Sequence, residues 1–115
     1  MSARRLERSP RALRRHASVF AALGDETRLS LLTRLGGGAP ISIARLTEGS
    51  ALTRQAITKH LRVLEGAGLV RGVRRGRESV FELEPKPLDE ARRALDGISR
   101  RWDEALARLK KFVEE

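Results

Sequence analysis

The sequence predicts a single, mainly α-helical domain that carries one β-hairpin. Apolar residues recur at steps of three and four over most of the chain, which is the spacing of amphipathic helices, whereas residues 69–83 alternate apolar and polar side chains around a glycine. A length of 115 residues suits one domain, spanning residues 1–115. Because a domain this small buries only about two-thirds of the surface of its unfolded chain, we expect pairing of two chains to stabilise it.

The composition is typical of a soluble globular protein and excludes several kinds of site. The longest apolar run is residues 19–23, which is far too short to cross a membrane. The sequence contains no Cys, which excludes disulfides, thiolate nucleophiles and thiolate zinc sites. We therefore expect a cytoplasmic protein without a cofactor and without membrane association.

The positive charge is confined to the first three quarters of the chain. The formal net charge is +9, and residues 1–83 hold sixteen basic and seven acidic residues, whereas residues 84–115 hold eight of each. The basic part includes an arm over residues 1–8. A basic body joined to a neutral C-terminal segment indicates a polyanion-binding part and a structural part. The alternative is a solvated surface that reflects an Arg-favouring genome.

Two helices are predicted before the glycines at residues 36–38. Ser9 is a suitable N-cap and Pro10 a suitable first residue for a helix over residues 9–23, which Gly24 ends. Its apolar stripe is a packing face that consists of Leu13, Ala17, Phe20 and Leu23. Asp25 can cap the second helix, which carries Leu29, Leu31, Leu32 and Leu35.

Residues 42–66 predict a helix-turn-helix. Ser42 can cap a short helix that ends at Thr47, and Thr53 can cap a second helix after a turn that contains Gly49. The inner face of the second helix consists of Ala56, Ile57, His60, Leu61 and Leu64. Two helices joined by a tight turn with glycine are typical of this motif.

Residues 69–83 predict a β-hairpin with Arg75 and Gly76 in its turn. Its tip carries three basic side chains: Arg74, Arg75 and Arg77. Such a tip can reach phosphates or a narrow minor groove, or it can simply be solvated.

The last predicted helix spans residues 87–113, after Pro85 and Pro87 end the second strand. Its apolar residues form a narrow seam, which consists of Leu88, Ala91, Leu95, Ile98, Trp102, Ala105, Leu109 and Phe112. Such a seam is typical of helix-on-helix pairing between two chains. The alternative is that the helix packs on its own domain.

Three segments resemble the ArsR/SmtB family of winged helix-turn-helix transcriptional regulators. They are residues 21–28 (AALGDETR), 53–64 (TRQAITKHLRVL) and 66–70 (GAGLV), and the likeness covers residues 12–112. The resemblance implies a homodimer held by the N- and C-terminal helices, a recognition helix after Thr53 and a wing over residues 69–83. The dimer interface it implies includes Leu13, Phe20, Leu95, Ile98, Trp102 and Leu109.

The resemblance also implies which side chains face double-stranded DNA. On the recognition helix these are Thr53, Arg54, Gln55, Thr58, Lys59 and Arg62. Arg54 and Gln55 lie at the helix N-terminus, where Arg can pair with guanine and Gln with adenine. Thr53, Thr58 and Lys59 can bind phosphates, and Arg62 lies one turn beyond Thr58.

Metal-sensing members of the family carry a Cys-containing motif in the helix that here spans residues 41–47, or Asp and His ligands along the last helix. This sequence has no Cys, and its last predicted helix has no His. The chain therefore resembles the metal-independent subgroup, which has a Trp in its final helix. This implies a repressor or autorepressor of an inverted-repeat operator, whose effector, a small molecule or a protein, the sequence does not identify.

Two other classes of function have less support in the sequence. No phosphate-binding loop follows a strand, and His16 and His60 lie in no catalytic motif. The sequence therefore contains no candidate catalytic site, and we predict that the protein is not an enzyme. A lone His on the apolar side of a helix has a structural role more often than a functional one. A winged helix that binds protein or RNA without operator specificity is the better alternative.

Overall fold

The computed structural model describes residues 8–114, so residues 1–7 of the predicted basic arm lie outside the described residues. The elements in chain order are α1 (Pro10–Leu23), α2 (Glu26–Leu35), β1 (Ile41–Ser42), α3 (Ile43–Thr47), α4 (Arg54–Gly66), β2 (Val70–Arg75), β3 (Glu78–Leu83) and α5 (Pro85–Glu114). This is the predicted mainly helical fold, a helix-turn-helix of α3 and α4 followed by a β-hairpin wing. No helix within residues 8–114 is long and apolar enough to cross a membrane.

Side-chain caps start four of the helices where the sequence predicts them. Each cap oxygen accepts the N–H three residues further on, over 3.0 to 3.2 Å. The cap residues are Ser9, Asp25, Ser42 and Thr53. Because each cap satisfies an amide that has no partner inside its helix, it fixes the boundary of that helix.

The sheet contains one strand that the sequence analysis missed and a turn that it placed one residue too early. The strand order is β1-β3-β2, and β1 pairs with β3 through Ile41 opposite Phe81. Two residues are too few to show alternation, which is why β1 was missed. In the hairpin Arg75 pairs with Glu78, so the turn consists of Gly76 and Arg77 rather than Arg75 and Gly76. Gly76 has a φ of +62°, which glycine adopts without strain.

Helix α5 begins at Pro85, two residues before the predicted start at 87. A proline at the first helical position lacks only an N–H that has no intrahelical partner there, and the same holds for Pro87 within the first turn. The two prolines therefore mark the start of the helix rather than a break before it. Glu84 alone separates β3 from α5, and its N–H donates to the carbonyl of Leu69 over 2.9 Å.

The core lies between α1, α2, the helix-turn-helix and the inner face of the sheet. Its fully buried large side chains are Leu35, Leu46, Ile57, Leu61, Leu64 and Leu69. Helix α1 packs on this core through Ala12, His16, Val19 and Ala22. The predicted packing stripe is largely uncovered in the single chain, since Leu13 is 53% exposed and Phe20 36% exposed.

Helix α5 extends well beyond the rest of the domain. A thirty-residue helix is about 45 Å long, and the molecule measures 67 × 35 × 22 Å. The radius of gyration of 18.4 Å exceeds the value of about 13 Å for a compact chain of this length. Within α5 only Ala91 is buried. The exposed apolar side chains of α5 include Leu95, Ile98, Trp102, Leu106, Leu109, Phe112 and Val113.

Two arginines of α2 bind the C-terminal ends of the helices on either side of it. Arg28 donates from Nε to the carbonyl of Ala22 over 2.6 Å and from Nη2 to that of Ala21. Arg34 donates from Nη1 to the carbonyl of Leu46 over 2.8 Å and from Nη2 to that of Arg45 over 2.9 Å. Carbonyls at a helix C-terminus lack intrahelical donors and carry the negative end of the helix dipole, so guanidinium groups stabilise both ends.

Asp25 and His60 complete the junction at Arg28. His60 Nδ1 lies 3.3 Å from Arg28 Nη1 and 3.7 Å from Asp25 Oδ2, which ties α4 to the start of α2. The pKa of Asp25 is lowered, mainly because its carboxylate accepts the backbone N–H of Arg28, and the nearby charges of Arg28 and His60 lower it further against the opposing effect of burial. His60 therefore has the structural role that the sequence predicts.

The lowered pKa of Asp25 makes stability depend on pH. Its contribution is complete above the ordinary pKa of 3.8 and is lost as the pH falls through the lower pKa of the folded state. We expect Asp25→Asn, which keeps an oxygen as cap but removes the charge, to be less stable than the wild type at neutral pH, and the difference to shrink as the pH falls below 3.8. Urea unfolding of both proteins at equal concentration measures the difference. A difference that does not change with pH would contradict this role of the charge.

Candidate nucleic-acid interface

Helix α4 presents one polar face outside the domain and one apolar face inside it. Ile57, Leu61 and Leu64 are buried, and residues at intervening steps of three and four point outward. The structure brings all six of the residues predicted on this helix onto one surface: Thr53, Arg54, Gln55, Lys59 and Arg62 are exposed and Thr58 is half-buried. The N-terminal turn of α4, with Arg54 and Gln55, lies at the free end of this surface.

The hydroxyls of Thr53 and Thr58 differ in what they can still bind. Thr53 Oγ1 accepts the N–H of Ala56 over 3.1 Å, so its own proton remains available to a phosphate oxygen. Thr58 Oγ1 donates to the carbonyl of Arg54 over 2.8 Å. A phosphate can only accept, so Thr58 must give up this internal bond before it can donate to one.

The basic side chains of α4 are almost free of neutralising partners. Within residues 8–114 neither Arg54 nor Lys59 makes an ion pair, and no acidic residue occupies the first turn of the helix. Arg62 Nη1 lies 3.2 Å from Glu65 Oε1, and the Arg62 side chain is 70% exposed. An exposed pair of this kind contributes about 0–1 kcal/mol, so a phosphate can replace the carboxylate at little cost.

One arginine of the wing is paired with carboxylates, and three others are not. Arg71, near the base of β2, donates to Glu82 opposite and lies 3.4 Å from Glu84. The hydrogen bond to Glu82 and the charges of both carboxylates raise the pKa of Arg71, which stays charged but neutralised. The remaining arginines are exposed and form no ion pair in the described chain: Arg74, Arg75 and Arg77. The free positive charge of the hairpin is therefore at its tip.

Glu65 connects the wing to α4 through a long hydrogen bond, a contact that the sequence analysis missed. Its Oε2 accepts the N–H of Gly72 in β2 over 3.4 Å, while Oε1 accepts from Arg62. A Cβ at Gly72 would lie 3.2 Å from Glu65 Oε2 and 3.2 Å from Cε1 of the Phe81 ring. A glycine inside a predicted strand was the available signal, because it often marks such a close approach.

The described residues offer no candidate metal centre at this surface. Within residues 8–114 no group of three or more His, Cys, Asp or Glu side chains lies close enough together to hold a metal ion.

The geometry defines a class of protein, a helix-turn-helix regulator with a basic recognition surface, and comparison with known proteins identifies the family. Residues 23–73 match the family described as a helix-turn-helix domain. The HTH-type transcriptional regulator Rv2034 of Mycobacterium tuberculosis is 33% identical over 96 residues, which are 84% of this chain and 86% of that protein. The chain belongs to the ArsR family of winged helix-turn-helix transcriptional regulators, which is a DNA-binding family and not an enzyme family.

Solved structures agree with this assignment. An ArsR-like transcriptional regulator from Rhodococcus sp. RHA1 is 42% identical with a TM-score of 0.75, over 87% of this chain and 93% of that one. The homodimeric winged helix-turn-helix DNA-binding domain of Mb0332 from Mycobacterium bovis has a TM-score of 0.63 over 92% of this chain and 91% of its own. At 23% identity the second likeness is one of fold.

The close contact at Gly72 leads to a test of how the wing is held. We expect Gly72→Val to lower the free energy of unfolding by about 1–3 kcal/mol, because the side chain would overlap Glu65 and the Phe81 ring. Ser79→Val, at an exposed position of β3 toward the hairpin tip, is the matched control and should change stability far less. Urea unfolding measures both. Equal effects of the two substitutions would show that the close approach at Gly72 is not a packing constraint.

Proposed function

We propose that the protein is a homodimeric repressor that binds an inverted-repeat operator through α4 and the wing. The observation that carries the proposal is the distribution of unpaired charge. Among the described residues, Arg54 and Lys59 lie unpaired on the exposed face of α4 that carries its N-terminal turn, and the hairpin tip adds three further arginines that form no ion pair. Unpaired cations beside an exposed helix N-terminus suit a phosphate backbone on either side of a groove.

Base reading is assigned to the N-terminal turn of α4. Arg54 and Gln55 are exposed there, and both side chains can make two hydrogen bonds to one base edge in the major groove, Arg to guanine and Gln to adenine. Neither is held by an ion pair within residues 8–114, so neither must break a strong bond to reach a base.

Phosphate binding is assigned to the residues around that turn and to the wing. Thr53 keeps a free hydroxyl proton, and Lys59 and Arg62 lie on the same face further along α4. Thr58 contributes if its hydroxyl leaves the carbonyl of Arg54. Arg74, Arg75 and Arg77 reach the neighbouring backbone or the minor groove.

Dimerisation is assigned to α1 and α5. Leu95, Ile98, Trp102 and Leu109 are 49% to 65% exposed in the single chain, and the Leu13 and Phe20 stripe of α1 is uncovered as well. A second copy of the chain can cover this surface, and the balanced charge of residues 84–115 lets two copies of α5 approach without net repulsion. The Mycobacterium bovis relative of the same fold, itself described as homodimeric, supports the assignment.

A symmetric dimer presents two copies of α4 to half-sites about one helical turn of DNA apart, which requires an inverted repeat. Occupation of such a site near a promoter hinders access of the polymerase, which makes repression, including repression of its own gene, the expected outcome. The absence of Cys from the sequence and of His from α5 supports the metal-independent subgroup, with an effector of another kind. A protein that works in this way acts in the compartment that holds the chromosome, the bacterial cytoplasm.

Substitutions on α4 separate base reading from phosphate binding. We expect Arg54→Ala to cost about 1–3 kcal/mol and to relax the base preference at one operator position, because it removes a bidentate contact. Lys59→Ala should weaken binding to all sequences about equally and reduce the salt slope by about one. The measurement is a titration of duplexes selected from a random library, and of single-position variants of them, at two salt concentrations.

Arg108→Ala on α5 is the control for a lost positive charge and should change neither property. If Arg54→Ala and Lys59→Ala both lowered affinity uniformly, Arg54 would not be a base reader. If the wild type showed no preference among duplexes at all, a module that binds RNA or protein would be the better conclusion.

A charge in the α5 seam tests the dimer. We expect Leu95→Asp to convert the dimer into a monomer, because an unpaired carboxylate would be buried between the two helices. Ala107→Asp, on the exposed opposite face of α5, is the matched control and should leave the dimer intact. Sedimentation velocity at several protein concentrations reports the result. A dimer that survives Leu95→Asp would exclude this interface.

A further inference from the structure

A cavity of about 340 Å³ lies where α1, the turn after α4 and the start of α5 meet. This volume is within the range of small-molecule sites, about 300–1,000 Å³. The residues that carry its chemistry are Arg15, His16, Ser18, Gly68, Pro87 and Glu90. None of them has a part in the proposed DNA surface or in the proposed dimer seam.

His16 gives the first indication of a ligand. Its side chain lines the cavity, it is only 6% exposed, and within residues 8–114 its Nε2 is buried without a hydrogen-bond partner. Buried polar atoms in proteins are nearly always hydrogen-bonded, because leaving one unpaired is costly. Because this nitrogen is closed off from solvent, a polar group in the cavity supplies the missing partner only after a small shift of the ring or of its neighbours.

Arg15 and Glu90 give the second indication. The two side chains have opposite charges and line the same cavity, yet neither forms an ion pair in the described part of the chain, either with the other or with a third residue. The surface between them is mainly apolar and includes Val19, Ala67 and Pro87. A cation, an anion and an apolar floor match a small molecule with a carboxylate, an ammonium group and an apolar body.

We propose that this cavity is the effector site and that it binds a free amino acid with an apolar side chain, with the carboxylate on Arg15 and the ammonium group on Glu90. The proposal rests on the proposed function, since it assigns the signal that regulates DNA binding. His16 accepts from or donates to the polar end of the ligand. The chemistry needs no metal and no covalent step.

The position of the cavity suits regulation. Arg15 and Ser18 lie on a different flank of α1 from Leu13 and Ala17, because successive helical residues are rotated by about 100°. Covering the Leu13 stripe by a second chain therefore does not by itself cover the cavity. It also contacts the end of α4 and the turn into β2, so an occupant favours one orientation of the recognition helix relative to α1 and α5.

The first experiment measures binding without DNA. The probes are L-leucine, L-methionine and L-phenylalanine, followed by 3-phenylpropionate and 2-phenylethylamine, which each keep one of the two charges. We expect at least one amino acid to bind saturably and to shift the ring ¹⁵N resonances of His16, and each singly charged analogue to bind at least about tenfold more weakly. Absence of a saturable His16 shift with all three amino acids overturns the proposal.

Substitutions locate the site and connect it to DNA. Arg15→Gln and Glu90→Gln should each weaken amino-acid binding by about tenfold or more, whereas Arg14→Gln and Asp96→Asn, which do not line the cavity, should leave it unchanged. Equal effects of the cavity and control variants would overturn the assignment. Binding of the amino acid without a change in operator affinity would exclude the effector role. A wild type that binds no operator, but does bind the amino acid, would contradict the proposed function and leave the site in place.

Discussion

The guanidinium groups of α2 are the constraint on which the arrangement of the helices depends. Arg28 holds the end of α1 and Arg34 holds the end of α3, so one ten-residue helix fixes the positions of two others through their unsatisfied carbonyls. Asp25 caps the same helix and approaches His60 of α4. Apolar packing is non-directional, whereas hydrogen bonds to specific carbonyls set the register of these helices. This junction therefore fixes the orientation of the exposed face of α4 relative to the rest of the domain.

Charge on the surface is organised by pairing rather than by number. The sequence has 24 basic residues, but the structure divides those it describes into arginines that hold the fold, such as Arg28, Arg34 and Arg71, and cations that have no carboxylate nearby. Only the second group can exchange water and counterions for phosphates without breaking an existing bond. The paired group contributes to shape and little to the external field. Net charge is therefore a poor guide to how many cations remain available for binding.

Most of the fold and much of the candidate site could be predicted from the sequence because both depend on local signals. The caps Ser9, Asp25, Ser42 and Thr53 mark helix starts, and the steps of three and four on α4 separate its inner face from its outer face. These signals act within one turn of helix, so no knowledge of distant contacts is needed.

What could not be predicted depends on contacts between distant residues. The inward face of α1 consists of small residues and His16, which no hydrophobic stripe reveals, and β1 exists only because β3 lies beside it. The link from Glu65 to Gly72 and the pairing of Arg71 with Glu82 likewise follow from the packing of the wing against α4 and from the hairpin register. The cavity at His16 combines three elements that are far apart in the chain.

The single residue between β3 and α5 has a mechanical consequence. Glu84 is the whole connection, and its N–H is bonded to the carbonyl of Leu69 at the base of the wing. The hairpin and the long helix therefore move together as one rigid unit. In the proposed dimer the crossing angle of the two α5 helices then sets both the tilt of the wings and the separation of the two α4 helices. Substitutions in the α5 seam can thus change the spacer length that the dimer prefers between half-sites. Such a change needs no substitution among the side chains proposed to contact bases.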